Sequence, residues 1–329
     1  MNQQTYTAAL EAAVLYDEQE QGRIAMRGSS AADLLHRLST NDINRLKPGQ
    51  GTRTVLTTPI GRIIDVLTVY VQAEQITIVS GPGQGGPVFS HLRKNIFFND
   101  KVTLEPLGRS HAQFALYGPH APALLARVFG VDFAGLVLHA TVAGTLAGFV
   151  VLVARTLPLG GQGFRLILPI EGAEAVRAAI LEAGAATLDP PTFDVLRVEA
   201  GYGATNHELN QEYIPLETGL EDAISFTKGC YVGQEIIARM ESRGRRAKAL
   251  RGLRLPSTFN LQPLALALPA KLAVDGKDAG DLTSVVVSPR FGPIGLAYVR
   301  SAHLEPGTHV SLAGSDLVGT VVELPFEQA

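Results

Sequence analysis

Apolar positions recur at helical spacing in SAADLLHRLSTND (30–42), where Leu34, Leu35 and Leu38 share a face, Ser29 or Ser30 can cap and Asp33 lies in the first turn. The same rule predicts helices in PHAPALLARVFG (119–130), opened by proline and closed by glycine, and in GAEAVRAAILEAG (172–184), also ended by glycine. Four other runs are short, rich in β-branched residues and bounded by turn formers, and so predict strands: GRIIDVLTVYVQ (61–72), QITIVSG (75–81), QFALYG (113–118) and FRLILPI (164–170). Helices mixed with antiparallel-looking strands point to α+β layers. A doubly wound parallel sheet is disfavoured, because no GxGxxG opens a strand–turn–helix unit. GPGQGG (81–86) lacks a following Lys-Ser/Thr pair and reads as a flexible connection.

After about residue 248 helical periodicity ends and strands alternate with turns, as in AKLAVDGKDAGDLTSVVVSP, IGLAYVR and LVGTVVELP. A terminal β-barrel or sandwich is expected there, so the chain divides into residues 1–240 and 241–329. The uncharged stretch AGLVLHATVAGTLAGFVVLVA (134–154) has the length of a membrane helix, but Gly144 and Gly148 interrupt it, and Thr and Val favour strands joined by a tight turn. No membrane association is expected.

Composition narrows the picture. Of 329 residues, 46% are apolar and 18% charged, which suits a folded chain. A net charge of -3 gives no bulk reason to bind a polyanion, and no direct nucleic-acid contact is expected. One basic run, RMESRGRRAKALRGLR, gathers Arg239, Arg243, Arg245, Arg246, Lys248, Arg251 and Arg254; it reads as a solvated face or the entrance to an anionic ligand site. The single cysteine cannot close an intrachain disulfide, and the first residues carry acids without a basic segment and apolar run, so a cytoplasmic location is expected. The histidines are scattered without zinc-ligand spacing, and no Gly-x-Ser-x-Gly elbow appears.

The cysteine lies in FTKGCYVGQEIIAR (226–239). Lys228, two residues before Cys230, brings a positive charge, and Gly229 and Gly233 allow a turn; both features favour an accessible thiolate, the nucleophilic and metal-binding form. The alternative is an inert cysteine packed as a small hydrophobe. Gln234 and Glu235 could cap a helix over EIIARM or face the site. One thiol cannot hold an iron–sulfur centre alone, since such centres take about four protein ligands.

Several segments together resemble the folate-binding T-protein of the glycine cleavage system and, more closely, its YgfZ/IBA57 relatives: LLHRLSTNDINRLKPGQGTRTVLTTPIGRIIDVLTVY, ALYGPHAPALL, LRVEAGYG (196–203), IPLETGLEDAISFTKGCYVGQE (214–235) and AGDLTSVVVSPRFGPIGLAYV. KGCYVGQE looks like the signature of the YgfZ/IBA57 branch. The resemblance implies a T-protein fold, with two associated α+β modules around a central cavity followed by the β-barrel. It also implies tetrahydrofolate or a one-carbon derivative as ligand, with Asp65, Arg197 and Glu199 as candidate contacts and the basic run from Arg239 drawing either the folate's glutamate tail or an acidic partner. Arg197 and Glu199 are equally well explained as a buried ion pair.

The chain departs from the T-protein pattern where that enzyme handles its amine. Val66 replaces the second of two aspartates; Pro158, Gly161 and Arg165 replace a tyrosine and two acids; Phe193 stands where an arginine precedes Asp194. Managing charge on a transferring amine needs a base, worth about 10²–10⁴-fold in rate, and valine offers none. The resemblance therefore implies an accessory protein for assembly or repair of iron–sulfur enzymes, with Cys230 aided by Lys228. Its partners would be folate and iron–sulfur assembly proteins or client enzymes, and its effect on tRNA modification indirect. The competing reading is an aminomethyltransferase or another tetrahydrofolate-dependent one-carbon transferase.

Overall fold

The alternating runs pair into three sheets in the computed structural model, which describes residues 1–244, 246–259, 267–312 and 317–327. The chain forms two units. The first comprises Met1–Thr57, Asp65–Phe193 and Asp222–Val232, and the second Thr58–Ile64, Asp194–Glu221 and Gly233–Ala329.

Two sheets build the first unit. Strands β1 (Val14–Asp17), β2 (Gln21–Arg27), β3 (Gly51–Thr57), β4 (Ile63–Val71), β5 (Ile76–Pro82), β6 (Thr103–Pro106), β7 (His111–Tyr117), β8 (Thr141–Leu146), β9 (Phe149–Thr156), β10 (Gly163–Pro169) and β11 (Ala186–Thr187) arrange as a five-stranded sheet β3-β4-β5-β2-β6 and a six-stranded sheet β11-β1-β7-β10-β9-β8. Helices α1 (Gln3–Glu11), α2 (Ala31–Leu38), α3 (Gly85–Lys94), α4 (Ala121–Phe129) and α5 (Ala173–Glu182) accompany them, and α6 (Pro190–Glu199) follows β11. The expected helix over 30–42 stops at Leu38, because Ser39 turns to extended backbone. GPGQGG is less of a connection than expected: its last two glycines open α3.

Side chains of a strand alternate between faces, and β10 uses both. Phe164, Leu166 and Leu168 face a core with Leu124, Leu125, Val176 and Ile180 of α4 and α5. Ile167 faces the opposite way, against Tyr70 and Val79 of the five-stranded sheet and Ala154 of β9. Arg165 has the same parity as Ile167, which carries a guanidinium into the space between two sheets. Burying a Leu or Phe side chain contributes roughly 1.5–3 kcal/mol; an unpaired charge in that layer would oppose it. The uncharged stretch 134–154 supplies β8 and β9, paired in register from Thr141↔Ala154 to Leu146↔Phe149. Among the described residues no helix is long and apolar enough to cross a membrane.

In the second unit α7 (Gln234–Arg243) precedes a closed barrel of β12 (Lys248–Arg254), β13 (Ala270–Val274), β14 (Lys277–Ser288), β15 (Gly292–Arg300), β16 (His309–Leu312) and β17 (Val318–Val322), in the order β12-β15-β14-β13-β16-β17. Closure removes free sheet edges, and Leu253, Leu272, Leu282, Val299, Val310 and Val321 fill the interior. On β14, Gly280 has a φ of 139° and approaches the Tyr298 carbonyl so closely that a Cβ has no room.

Candidate functional site

The Asp222–Val232 segment, which contains the cysteine, is tied to the first unit by polar bonds. Thr40 Oγ1 donates to Ala223 O at 2.6 Å, Ser225 N to Thr40 O at 3.0 Å, and Asn41 Nδ2 to Asp222 O at 3.1 Å. Val232 N donates to Arg37 O at 3.2 Å, and Thr57 Oγ1 to Val232 O at 2.5 Å. Arg53 pairs with Asp222 at 3.3 Å. Within this segment Cys230 is exposed. Gly233, with φ of 84°, is the N-cap of α7, so Gln234 begins the helix and Glu235 lies exposed in its first turn; neither caps it.

Lys228 is buried, and its ammonium donates to three main-chain carbonyls: those of His36, Ser39 (2.7 Å) and Asn41 (2.9 Å). An ammonium has three donors, so none is left to bond a thiolate. The assistance to the thiol expected of Lys228 is thereby not a direct hydrogen bond. Burial pushes the Lys228 pKa down to about 8, with Asp42 acting in the opposite direction. At neutral pH it remains an ammonium.

Asp65, on β4, is fully buried; Gly81 N donates to its Oδ2 at 2.9 Å and the Val66 backbone also bonds it. Burial pushes this carboxyl up to about 6 against those two bonds. Val66 stands where the resemblance puts a second acid, and β4 carries no other carboxylate.

Arg165 forms the centre of a network that the sequence reading missed. Its Nε donates to Glu18 Oε2 at 2.7 Å and its Nη2 to Glu18 Oε1 at 3.1 Å, while Nη1 donates to the Tyr70 hydroxyl at 3.1 Å. Gln113 and Gln21 add N–H bonds to the same carboxylate at 2.8 and 3.0 Å. A guanidinium placed between two sheets requires such a partner. The available signal was an arginine inside the apolar run FRLILPI. Phe193, another of the departures, stacks on Tyr16 with ring centroids 4.2 Å apart. His139, one of the histidines read as scattered, is buried at a φ of 64°, with neither ring nitrogen hydrogen-bonded. Burial, then Arg53 and Arg165, push it down to about 3, so it is neutral.

In the second unit Arg197 and Glu199 are held by internal partners. Arg197 donates to Asp194 (2.6 Å), Tyr202 O (3.2 Å), Glu208 (3.2 Å) and Ser284 (2.8 Å). Ser288 donates to Glu199 at 2.5 Å, and Phe326 N to its carbonyl at 2.9 Å. Both residues therefore join α6 to the barrel, Arg197 through Ser284 and Glu199 through Ser288. Asp65, in the first unit, accepts two backbone N–H bonds, so each of the three residues expected as a folate contact already has partners inside the protein.

Arg239 is exposed on α7. The basic run around it is divided among separate partners: Arg246 with Glu221, Lys248 over the Tyr213 ring at 4.3 Å, and Arg251 with Glu323 at 3.5 Å. Arg245 lies outside the described residues. Among the described residues no cluster of His, Cys, Asp or Glu could hold a metal ion. The exposed thiol is thus the accessible nucleophile of the predicted set, and any metal chemistry there needs ligands from elsewhere.

Comparison with known proteins agrees with this architecture. The family model described as GCVT N-terminal domain matches residues 2–228, and the glycine cleavage T-protein C-terminal barrel domain matches residues 248–327. A chloroplast protein of Arabidopsis thaliana, named only provisionally as a transferase, is 31% identical over 95% of this chain and 71% of its own length. An aminomethyltransferase of Streptomyces coelicolor is 31% identical over 98% of this chain and 88% of its own. The crystal structure of the glycine cleavage system aminomethyltransferase T from Bartonella henselae superposes with a TM-score of 0.86 at 24% identity, covering 98% of this chain and 88% of that one. This likeness establishes a mixed α/β T-protein fold with a closed six-stranded barrel.

Proposed function

This chain belongs to the glycine cleavage T-protein family, and from that premise we propose that it is a cytoplasmic folate-binding accessory protein for assembly or repair of iron–sulfur enzymes, of the YgfZ/IBA57 type. Arg165 carries the argument against aminomethyl transfer. The resemblance puts an acid at this position, whereas the buried carboxylate beside it, Glu18, is held by a guanidinium and two amides. With its oxygens taken up by these four donated bonds, that carboxylate is not free to accept a proton from a transferring amine. Val66 removes a second acid.

The positive side of the reading rests on KGCYVGQE and on the exposure of Cys230 within it. An accessible thiol, together with ligands from a partner or a bound thiol, can contact a cluster during assembly or repair. Clients would be iron–sulfur enzymes, including those that modify tRNA, so effects on tRNA are indirect. Tetrahydrofolate, as family ligand, would supply a one-carbon carrier, with Asp65, Arg197 and Glu199 as the candidate contacts that the resemblance implies.

The decisive assay measures transfer of an aminomethyl group from its carrier protein to tetrahydrofolate. Turnover at the rate of an aminomethyltransferase would overturn the proposal. Absence of turnover, with tetrahydrofolate binding detected by titration calorimetry, supports it; the chain has no Trp for intrinsic quenching.

A further inference from the structure

The stretch that carries the thiol is packed inside out. Phe226 is 48% exposed and Gly229 and Cys230 are exposed, while the buried side chain among them is Lys228, 7% exposed. Buried apolar side chains flank the stretch, Ile224 before it and Tyr231 after it, but between them the buried side chain is that of Lys228. Within Phe226–Cys230 the anchor is the ammonium.

The receiving surface is the end of α2, where the last carbonyls of a helix lack intrahelical donors and carry the negative end of its dipole. Leu35 O accepts from Ser39 Oγ at 2.7 Å, His36 O from Lys228, and Arg37 O from Val232 N at 3.2 Å. Ser39 O and Asn41 O complete the ammonium's set. The charged and aromatic groups facing it are His36, Asp42 and Tyr231: His36 Nδ1 lies 3.3 Å from Asp42, and the Tyr231 ring lies 5.0 Å from Nζ. No carboxylate bonds the ammonium directly among the described residues.

We propose that the carbonyl oxygens of His36, Ser39 and Asn41 form a cradle for one monovalent N–H cation, that Lys228 fills it from within the chain, and that filling it fixes the Phe226–Cys230 stretch in place. Lys228 is then a positioning residue for the thiol; only this functional consequence rests on the proposed role of Cys230. The cradle itself stands or falls on its own chemistry.

Hydrogen exchange at the Ser225 and Val232 amides, which donate to Thr40 O and Arg37 O, reads the docking of the segment directly. In Lys228→Ala, protection there is expected to fall about tenfold or more, the equivalent of one lost hydrogen bond. Propylammonium replaces the atoms that alanine lacks and should restore protection, whereas tetramethylammonium, with no N–H, should not. Lys228→Met fills the channel without a charge and should lose protection without rescue. Wild-type protection in Lys228→Met, or equal rescue of the alanine variant by both cations, would overturn the cradle, as would failure of propylammonium in a folded Lys228→Ala protein. Cys230→Ser should keep full protection, so failure of the thiol's role and failure of the cradle are read separately.

Discussion

Arg165 and Lys228 are both buried cations of the first unit, and their surroundings differ in one respect. Arg165 faces a full negative charge: Glu18 accepts two of its bonds and two amides complete the shell. Lys228 faces dipoles, three carbonyls at the end of a helix. A charge pair sealed between sheets is rigid, because removing either member leaves an uncompensated ion. A cation on carbonyls leaves behind groups that water can satisfy. One arrangement suits a permanent joint and the other a docked segment.

The largest effect should come from breaking the pair. Arg165→Met is expected to lower stability by about 3–5 kcal/mol, the cost of stranding Glu18, as measured by urea denaturation. Glu18→Gln combined with Arg165→Met should cost less than Arg165→Met alone, since no charge is left unpaired, and the double-mutant cycle should give a coupling beyond additivity. Lys228→Met should destabilise less than Arg165→Met in the same assay. If the two lysine and arginine variants lose equal stability, the distinction between charge and dipole surroundings fails.

Asp65 extends the comparison to a buried carboxyl with no cation at all. Its pKa in the folded protein is about 6 against an ordinary value of 3.8. The sign follows from the raised folded value: the neutral carboxyl's contribution is fully present below pH 3.8 and is lost as pH rises through about 6. A shift of that size corresponds to roughly 3 kcal/mol. Asp65→Asn should abolish this dependence, so the stability of the variant relative to wild type should rise by roughly that amount between pH 4 and 7. Urea denaturation at several pH values gives the difference; parallel curves for the two proteins would place a compensating charge near Asp65.

The same three residues explain what could be read from the chain beforehand. Strands β4, β5, β7 and β10 were legible because their β-branched runs end at turn formers, and α4 and α5 because proline and glycine punctuate them. α3 was hidden by the glycines at its start, and α6 because Arg197 and Glu199 fit strand or helix spacing equally. Asp65 and Cys230 were legible as residues of interest from family resemblance. Their partners were not: Glu18 lies 147 positions from Arg165, and Ser39 lies 189 from Lys228. Local patterning carries no information about such pairs, which arise only when strand order and segment docking are fixed. The inside-out polarity of Phe226 and Lys228 is the one local sign, since a buried lysine beside an exposed phenylalanine runs against ordinary partition.

The smallest stability effect should accompany the largest functional one. Cys230 is exposed and is neither part of the Glu18–Arg165 network nor of the bonds made by Lys228. Cys230→Ser therefore removes one sulfur from solvent, and a surface change of this kind should leave stability within about 0.5 kcal/mol. In the source cell, activity of iron–sulfur enzymes should fall in this variant, because a serine hydroxyl is a far poorer nucleophile and metal ligand than a cysteine sulfur. Lys228→Met should lower the same activity by freeing the segment while leaving the thiol present, and propylammonium has no Lys→Met cavity to enter. Wild-type enzyme activities in Cys230→Ser, with the protein stably folded, would reduce position 230 to a solvent-facing spacer and leave the docked segment with a purely structural purpose.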